Sequence, residues 1–284
     1  MSHEIYLMHF SKYIKEQTGI EYRSDNYFQL ESRLHDVVKN LDLKNIEDLF
    51  SMLQNGFTPQ QKQIFIDCIT NNETSFFRDI KVFNQIESLL NNLLDERAKQ
   101  EQYNLNIWSA ACSTGQESIT VSIIFKEIIS RRTDAALWNL QILCTDICEK
   151  ALTKAKSGQY TQLEVQRGMP AKYLVKYFSK DINDKWTANN SLLKHMTYKL
   201  HNLRQPLNSD RKFDLVLCRN ILIYQNVEGK KIILQEVLNQ IHRDGFLVMG
   251  SGESLLGIAI DFEIVQKDGI MLYKKKNTTK IAAA

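Results

Sequence analysis

The sequence predicts an α/β protein built on a mostly parallel sheet with an antiparallel end. An all-α N-terminal domain precedes the sheet and a small β-subdomain is inserted in it. Three observations predict this. Residues 1–70 show only the helical spacing of apolar side chains. From about residue 105, apolar strand-like runs alternate with helical stretches. Residues 158–200 break that alternation with short polar pieces. Two units follow, residues 1–76 and 77–284, a division that suits 284 residues.

Tyr6, Phe10, Tyr13 and Ile14 form a first helical stripe, and Leu30, Leu34, Val37 and Val38 a second, with Leu41 after it. Thr58 reads as an N-cap with Pro59 at the first helical position, opening the helix of Ile64, Phe65, Cys68 and Ile69. Then comes NNETSFFRD, residues 71–79. Its polar groups would need partners in a core helix, and its adjacent phenylalanines would be stranded in a plain linker. Two readings stand: a helix start with Phe76 and Phe77 turned inward, or a loop that faces a ligand.

One more helix spans about 80–99. LNIWSAA (105–111) is a buried-type strand, followed by the turn CSTG and a helix over 116–131. NLQILCTDI (139–147) and FDLVLCRN (213–220) are further strands, then a helix over 227–242 and the strand GFLVMG (245–250). FEIVQKDGIMLYKKK closes the chain as a hairpin on Asp268-Gly269. Within 158–200, PAKYLVKYF is helix-like, and the stretches around KWTANN and HMTYKLHNL are assigned to the inserted β-subdomain.

Composition excludes several classes. Hydrophobic content of 43% with 24% charged residues is that of a soluble globular protein, and three prolines leave no room for a Pro-rich linker class. The net charge is +3, which Lys274, Lys275, Lys276 and Lys280 exceed by themselves. The rest of the chain has no basic excess, so nucleic acid is not an expected partner. Five cysteines show no CxxC spacing, and Cys144 and Cys148 have no neighbouring His or Cys to complete a zinc site. They read as reduced core thiols of a cytoplasmic protein, and no metal is expected. The N-terminus lacks the apolar core of a signal peptide, and no stretch approaches the roughly 18 apolar residues of a membrane span, so no membrane insertion is expected.

Ligands of open α/β sheets sit at the carboxyl ends of the strands. There the first strand offers the small-residue turn from Ala110 to Gly115, whose single glycine is a weak signal by itself. Glu117 lies in the next helical turn and suits a helix-dipole partner equally well. Asp146 ends the second strand, either to accept ribose hydroxyls or to cap the following helix. Arg219 and Asn220 end the third, with Tyr224 soon after, and polar groups just past so apolar a run point to a site. Asn202 and Leu203, ahead of that strand, are ambiguous alone.

NNETSFFRD, IWSAACSTGQES, CTDI, SGQY…RGMPAKYLVKYF, FDLVLCRNILIY and LVMGSGESL occur in this order. Together they resemble the CheR-type chemotaxis-receptor glutamate O-methyltransferases over almost the whole chain. The resemblance implies a class I methyltransferase sheet, S-adenosylmethionine as donor with S-adenosylhomocysteine as product, and receptor glutamates converted to methyl esters. It implies that Asn72, Thr74 and Arg78 face the methionine end of the cofactor and the reacting centre. The turn from Ala110 to Gly115 passes under the cofactor, and Glu117 binds its amino-acid portion or positions the turn. Asp146 holds the ribose, Asn202 and Leu203 border the adenine, and Arg219 and Asn220 complete the pocket. Arg78 and Tyr224 are the expected catalytic pair. The implied partner is the cytoplasmic methylation helices of a chemoreceptor.

The chain departs from the family pattern in three places. Ser118 and Ile119 replace a Pro and an aromatic. Residues 1–70 hold seven Lys or Arg against ten Asp or Glu, so Arg23, Arg33 and Lys39 make only a thin basic stripe. No glycine lies between Gly168 and Gly229, so tight binding of a receptor C-terminal tail peptide is not expected. The alternative reading is a non-catalytic, S-adenosylmethionine-binding regulatory module.

Overall fold

The computed structural model describes residues 3–258, 260–267 and 270–276. Four helices come first: α1 (His3–Thr18), α2 (Tyr27–Asn40), α3 (Ile46–Asn55) and α4 (Pro59–Ile69). Their apolar stripes converge on one core that includes Phe10, Ile14, Leu30, Leu34, Val37, Leu49, Phe65 and Ile69. The start of α4 is a reciprocal cap. The Thr58 hydroxyl accepts from the Gln61 N–H (3.3 Å), and the Gln61 side chain accepts from the Thr58 N–H (2.9 Å).

The chain then runs α5 (Ile80–Lys99), β1 (Asn104–Ala110), α6 (Gln116–Ile129), β2 (Asn139–Asp146) and α7 (Glu149–Ser157). A short-element region follows: β3 (Gln159–Tyr160), α8 (Gln162–Gln166), α9 (Ala171–Tyr177), β4 (Phe178–Lys180), β5 (Trp186–Ala188) and α10 (Asn190–Leu193). It ends with β6 (Met196–Leu200), β7 (Phe213–Cys218), α11 (Val227–Gln240), β8 (Ile241–Val248), β9 (Phe262–Lys267) and β10 (Ile270–Lys275).

The large sheet has the order β6-β2-β1-β7-β8-β10-β9. Strands β6, β2, β1, β7 and β8 are parallel, and β10 joins antiparallel to both β8 and β9. From β1 the chain builds outward to β2 and β6 on one side, and later to β7 and β8 on the other. The switch in strand order therefore lies between β1 and β7. Register sets the strand ends level there, since Ala110 is opposite both Thr145 and Cys218. Trp108 is fully buried beneath this point, and its indole N–H donates to the Thr145 hydroxyl at 2.9 Å.

Two expectations need correction. HMTYKL does not belong to the inserted subdomain, because Met196–Leu200 pairs in parallel with β2 from Ile142 to Asp146 and forms an edge of the large sheet. An edge strand keeps one side open to water, so its polar residues Thr197 and Lys199 gave it the look of a small polar sheet. The small sheet is β3-β5-β4. The strand placed at 245–250 begins earlier, at Ile241, and the preceding helix ends at Gln240. The turn residues Asp268 and Gly269, and Lys280, lie outside the described residues. Among the described residues no helix is long and apolar enough to cross a membrane.

Candidate active site

Three strand ends and one inter-domain segment build the site. After β1 the backbone turns through left-handed residues Ala111 (φ 60°), Ser113 (φ 51°) and Gly115 (φ 92°). Only glycine takes such a conformation without strain, and a Cβ on Gly115 would also stand 2.9 Å from that of Ala155. The turn is tied down by its neighbours. Cys112 N–H donates to the Thr145 carbonyl (2.8 Å), the Ser113 hydroxyl to the Asn72 carbonyl (2.7 Å) and the Tyr160 hydroxyl to the Thr114 carbonyl (2.8 Å).

Asp146, at the end of β2, is buried. Its two oxygens accept from Ser113 N–H (2.7 Å) and Cys148 N–H (2.9 Å). It braces the start of α7 without being its N-cap, which is Cys148, and it lines the cleft. A carboxylate has about four acceptor positions, so it can accept further donors. Burial raises its pKa above the usual aspartate range, opposed by the Cys148 and Ser113 N–H groups.

The segment 71–79 is a loop and not a capped helix start, since the next helix begins at Ile80 and Asp79 makes no side-chain cap. Phe76 and Phe77 point inward and are buried. Phe76 meets Tyr160 and Phe178 edge-on at 4.9 and 5.7 Å, and Phe77 stacks on Tyr173 at 5.5 Å. With the two rings anchored, Asn72, Thr74 and Arg78 line the cleft. The Arg78 guanidinium donates to the Glu73 carbonyl at 3.1 Å.

Arg219, past β7, has a fully buried side chain. It pairs with Glu117 and with Asp79 (2.8 Å), and donates to the Arg78 carbonyl at 3.0 Å. The helix α6, the 71–79 segment and the end of β7 are thereby clamped at one point. Burial raises the Glu117 pKa, with Arg219 opposing it. Asn220 follows in left-handed conformation (φ 59°), and Tyr224 receives the Asn71 amide N–H on its hydroxyl oxygen at 3.0 Å.

These elements enclose a cleft of about 480 Å³ at the switch point. Ten of the twelve residues singled out in the sequence line it: Asn72, Thr74, Arg78, Glu117, Asp146, Asn202, Leu203, Arg219, Asn220 and Tyr224. Ala110 and Gly115 do not. Ala110 is the buried last residue of β1, and Gly115 lies behind the wall under Ala155 and Tyr160. Ala111, Cys112 and Ser113 form that wall instead.

The N-terminal domain supplies another side of the cleft, through Tyr22, Phe28, Gln29, Ser32 and Arg33. Nothing in the sequence signals this, because it depends on how α1 docks. Three side chains donate to the carbonyls that end α1: Asn202 to Gln17 (2.8 Å), Arg204 to Lys15 (2.9 Å) and Gln225 to Thr18 (3.2 Å). From the other domain, Asp67 of α4 accepts from the first N–H groups of α7, Glu149 (2.9 Å) and Lys150 (3.2 Å).

The cleft suits a polar, nucleoside-sized ligand. Among the described residues, five buried polar atoms of its lining residues have no hydrogen-bond partner: His201 Nε2, Arg204 Nε, Arg219 Nε, Asn220 Oδ1 and Gln225 Oε1. Such atoms are costly unless a ligand or water completes them. Among the described residues no group of three or more His, Cys, Asp or Glu side chains is placed to hold a metal ion.

Residues 72–270 match the family model described as CheR methyltransferase, SAM binding domain, and residues 7–70 match its CheR methyltransferase, all-alpha domain. The chain is 30% identical over 268 residues to chemotaxis protein methyltransferase 1 of Pseudomonas aeruginosa, covering 94% of this chain and 96% of that protein. It is 29% identical to chemotaxis protein methyltransferase Cher2 of Pseudomonas putida over the same shares. To the chemotaxis protein methyltransferase of Borreliella burgdorferi it is 28% identical over 249 residues, 87% of each chain. The cleft at the strand switch and the helical domain that walls it thus fall within two adjoining matches, and the chain belongs to the CheR methyltransferase family.

Proposed function

We propose that this protein transfers a methyl group from S-adenosylmethionine to glutamate side chains on the cytoplasmic methylation helices of a chemoreceptor, as an adaptation step in chemotaxis. The observation that carries this reading is the convergence of ten residues from separate stretches of the sequence on one cleft at the strand ends. Asp146 keeps acceptor positions for the ribose hydroxyls. Asn202 and Leu203 border the adenine, while Glu117, Asn72 and Thr74 face the amino-acid portion. Arg219 and Asn220 complete the wall. The buried Asp146 carboxylate at the cleft wall supports a fit to this cofactor.

When bound, the cofactor supplies a methyl carbon on a positive sulfur that is its own leaving group. A glutamate is already ionised near neutral pH, so no general base is required. The chemistry the cofactor would supply is transfer of its methyl to one carboxylate oxygen, with the electron pair of the broken carbon–sulfur bond left on sulfur. What the chain must supply is alignment, a contribution of roughly 7–11 kcal/mol in favourable cases. Arg78 spends one N–H on Glu73 and keeps others for the incoming carboxylate. Tyr224 already accepts from Asn71, so its own O–H is left to donate to that carboxylate. No metal takes part. The protein acts in the cytoplasm, and tight capture of a receptor tail peptide by its β-subdomain is not expected.

The test is methyl transfer from labelled S-adenosylmethionine to a receptor cytoplasmic fragment. A base-labile methyl ester on glutamate is expected. Cofactor binding without any ester on receptor would replace this reading with the non-catalytic module.

A further inference from the structure

The stretch GSGES after β8 has no part in the site as described, yet it holds a buried carboxylate with an unusual set of partners. Glu253 is 5% exposed. Its Oε1 accepts from the N–H groups of Ile221 (2.9 Å), Leu222 (2.7 Å) and Ile223 (3.3 Å). Its Oε2 accepts from Asn220 N–H (2.7 Å) and Gly250 N–H (2.8 Å). Four of these donors are consecutive residues, with Asn220 left-handed (φ 59°) and the next residues entering a 3-10 turn, Leu222–Tyr224. A non-glycine residue holds that conformation at a cost unless something over-determines it. The backbone of Gly250 also comes close: a Cβ there would stand 2.7 Å from Asn220 Nδ2 and 2.9 Å from Glu253 Oε2.

The loop held in this way joins the cofactor side of the cleft to its mouth. Arg219 precedes it, clamped by Glu117 and Asp79. Asn220 lines the cleft, and Tyr224 lies at the rim, 38% exposed. We propose that Glu253 is a positioning residue for methyl transfer: its carboxylate fills a nest of five backbone N–H groups and thereby fixes Asn220 against the cofactor and Tyr224 against the substrate. This rests on the function proposed above. The donors on both oxygens require a carboxylate. A glutamine would turn an N–H₂ group toward at least two N–H donors, whereas an aspartate keeps the charge on a shorter stem.

The test has one readout that does not depend on activity. In the wild type, the amides of Asn220, Leu222 and Ile221 are expected to be protected from hydrogen exchange although their acceptor is a side chain. Glu253→Gln should lose that protection locally while α11 keeps its own. It should lower kcat roughly 10- to 100-fold with a smaller change in the KM for S-adenosylmethionine, because a displaced positioning group costs turnover on that scale. Glu253→Asp should recover part of the loss. Should Glu253→Gln fail to fold, Gly250→Ala tests the same contact from the other side and should reproduce the kcat loss with the carboxylate still present. A purely structural role would lower the melting temperature of these variants and leave kcat of the folded fraction intact, which would overturn the proposal. So would fast exchange of these amides in the wild type. If the wild type binds no S-adenosylhomocysteine, the proposed function fails, and the exchange pattern still decides whether Glu253 holds the loop.

Discussion

Arg78 and Tyr224 approach the cleft from different segments, and each has one hydrogen-bonding position already committed to the protein. On the proposed function, both are free to position a substrate carboxylate with their remaining groups. Arg78→Ala is therefore expected to lower turnover strongly, while the dissociation constant for S-adenosylhomocysteine stays within a few-fold. Near-normal methylation by that variant would contradict the assignment. Glu117 and Asp146 carry the pH prediction. Burial raises both carboxyls, so each is protonated over a wider acidic range than a free side chain. The cofactor's ammonium and hydroxyl donors need the ionised forms. Affinity for S-adenosylhomocysteine should thus fall as pH drops into the acidic range, with protons released on binding there. A flat profile by calorimetry in buffers of different ionisation enthalpy would oppose this. At this scale the sequence was informative about chemistry and less so about contact. The residue types at the strand ends were legible, but which of Ala110 and Ala111 faces the cleft depends on where the backbone turns left-handed. Glu253 lies in the motif LVMGSGESL, but its role was not legible there, because four of its five partners lie about thirty residues earlier in the chain.

The 71–79 segment shows how one element serves packing and ligand contact at once. Its two rings lock it to α9 and to the small sheet, which frees the polar residues between and beside them for the cleft. Phe76→Ala should destabilise the protein by about 3–5 kcal/mol, as for other large core truncations. It should also weaken cofactor binding, because Phe76 anchors the segment that carries Asn72 and Thr74. Denaturant unfolding and calorimetry check the two effects, and a stability loss with unaltered binding would show that the segment keeps its place without this ring. Gly168 reports on the same packing. It is left-handed (φ 101°), and a Cβ there would stand 2.1 Å from the Phe76 carbonyl oxygen. Most elements were visible in the hydrophobic spacing, since buried parallel strands such as β7 read as continuous apolar runs. The exception was β6. An edge strand buries one face only, so its composition did not distinguish the rim of a large sheet from part of a small one.

For the whole molecule, the account makes the N-terminal domain a wall of the active site and not an appendage. Asn202, Arg204 and Gln225 hold the end of α1, while Asp67 holds the start of α7, so the cleft is closed by contacts running in both directions. Arg204→Ala removes a cation from the carbonyl end of α1 and is expected to cost about 1.5–3 kcal/mol of stability, with weaker cofactor binding. A variant with unchanged melting temperature and affinity would place the closure elsewhere. This arrangement was not readable from sequence, where the two domains appeared as separate blocks with opposite net charge tendencies. If the cleft at the β1–β7 switch is a cofactor site centred on Asp146, calorimetric titration with S-adenosylhomocysteine will separate the wild type from Asp146→Ala. Micromolar or tighter binding is expected for the wild type, and its loss in the variant. No binding by the wild type, or equal binding by both, would contradict that assignment.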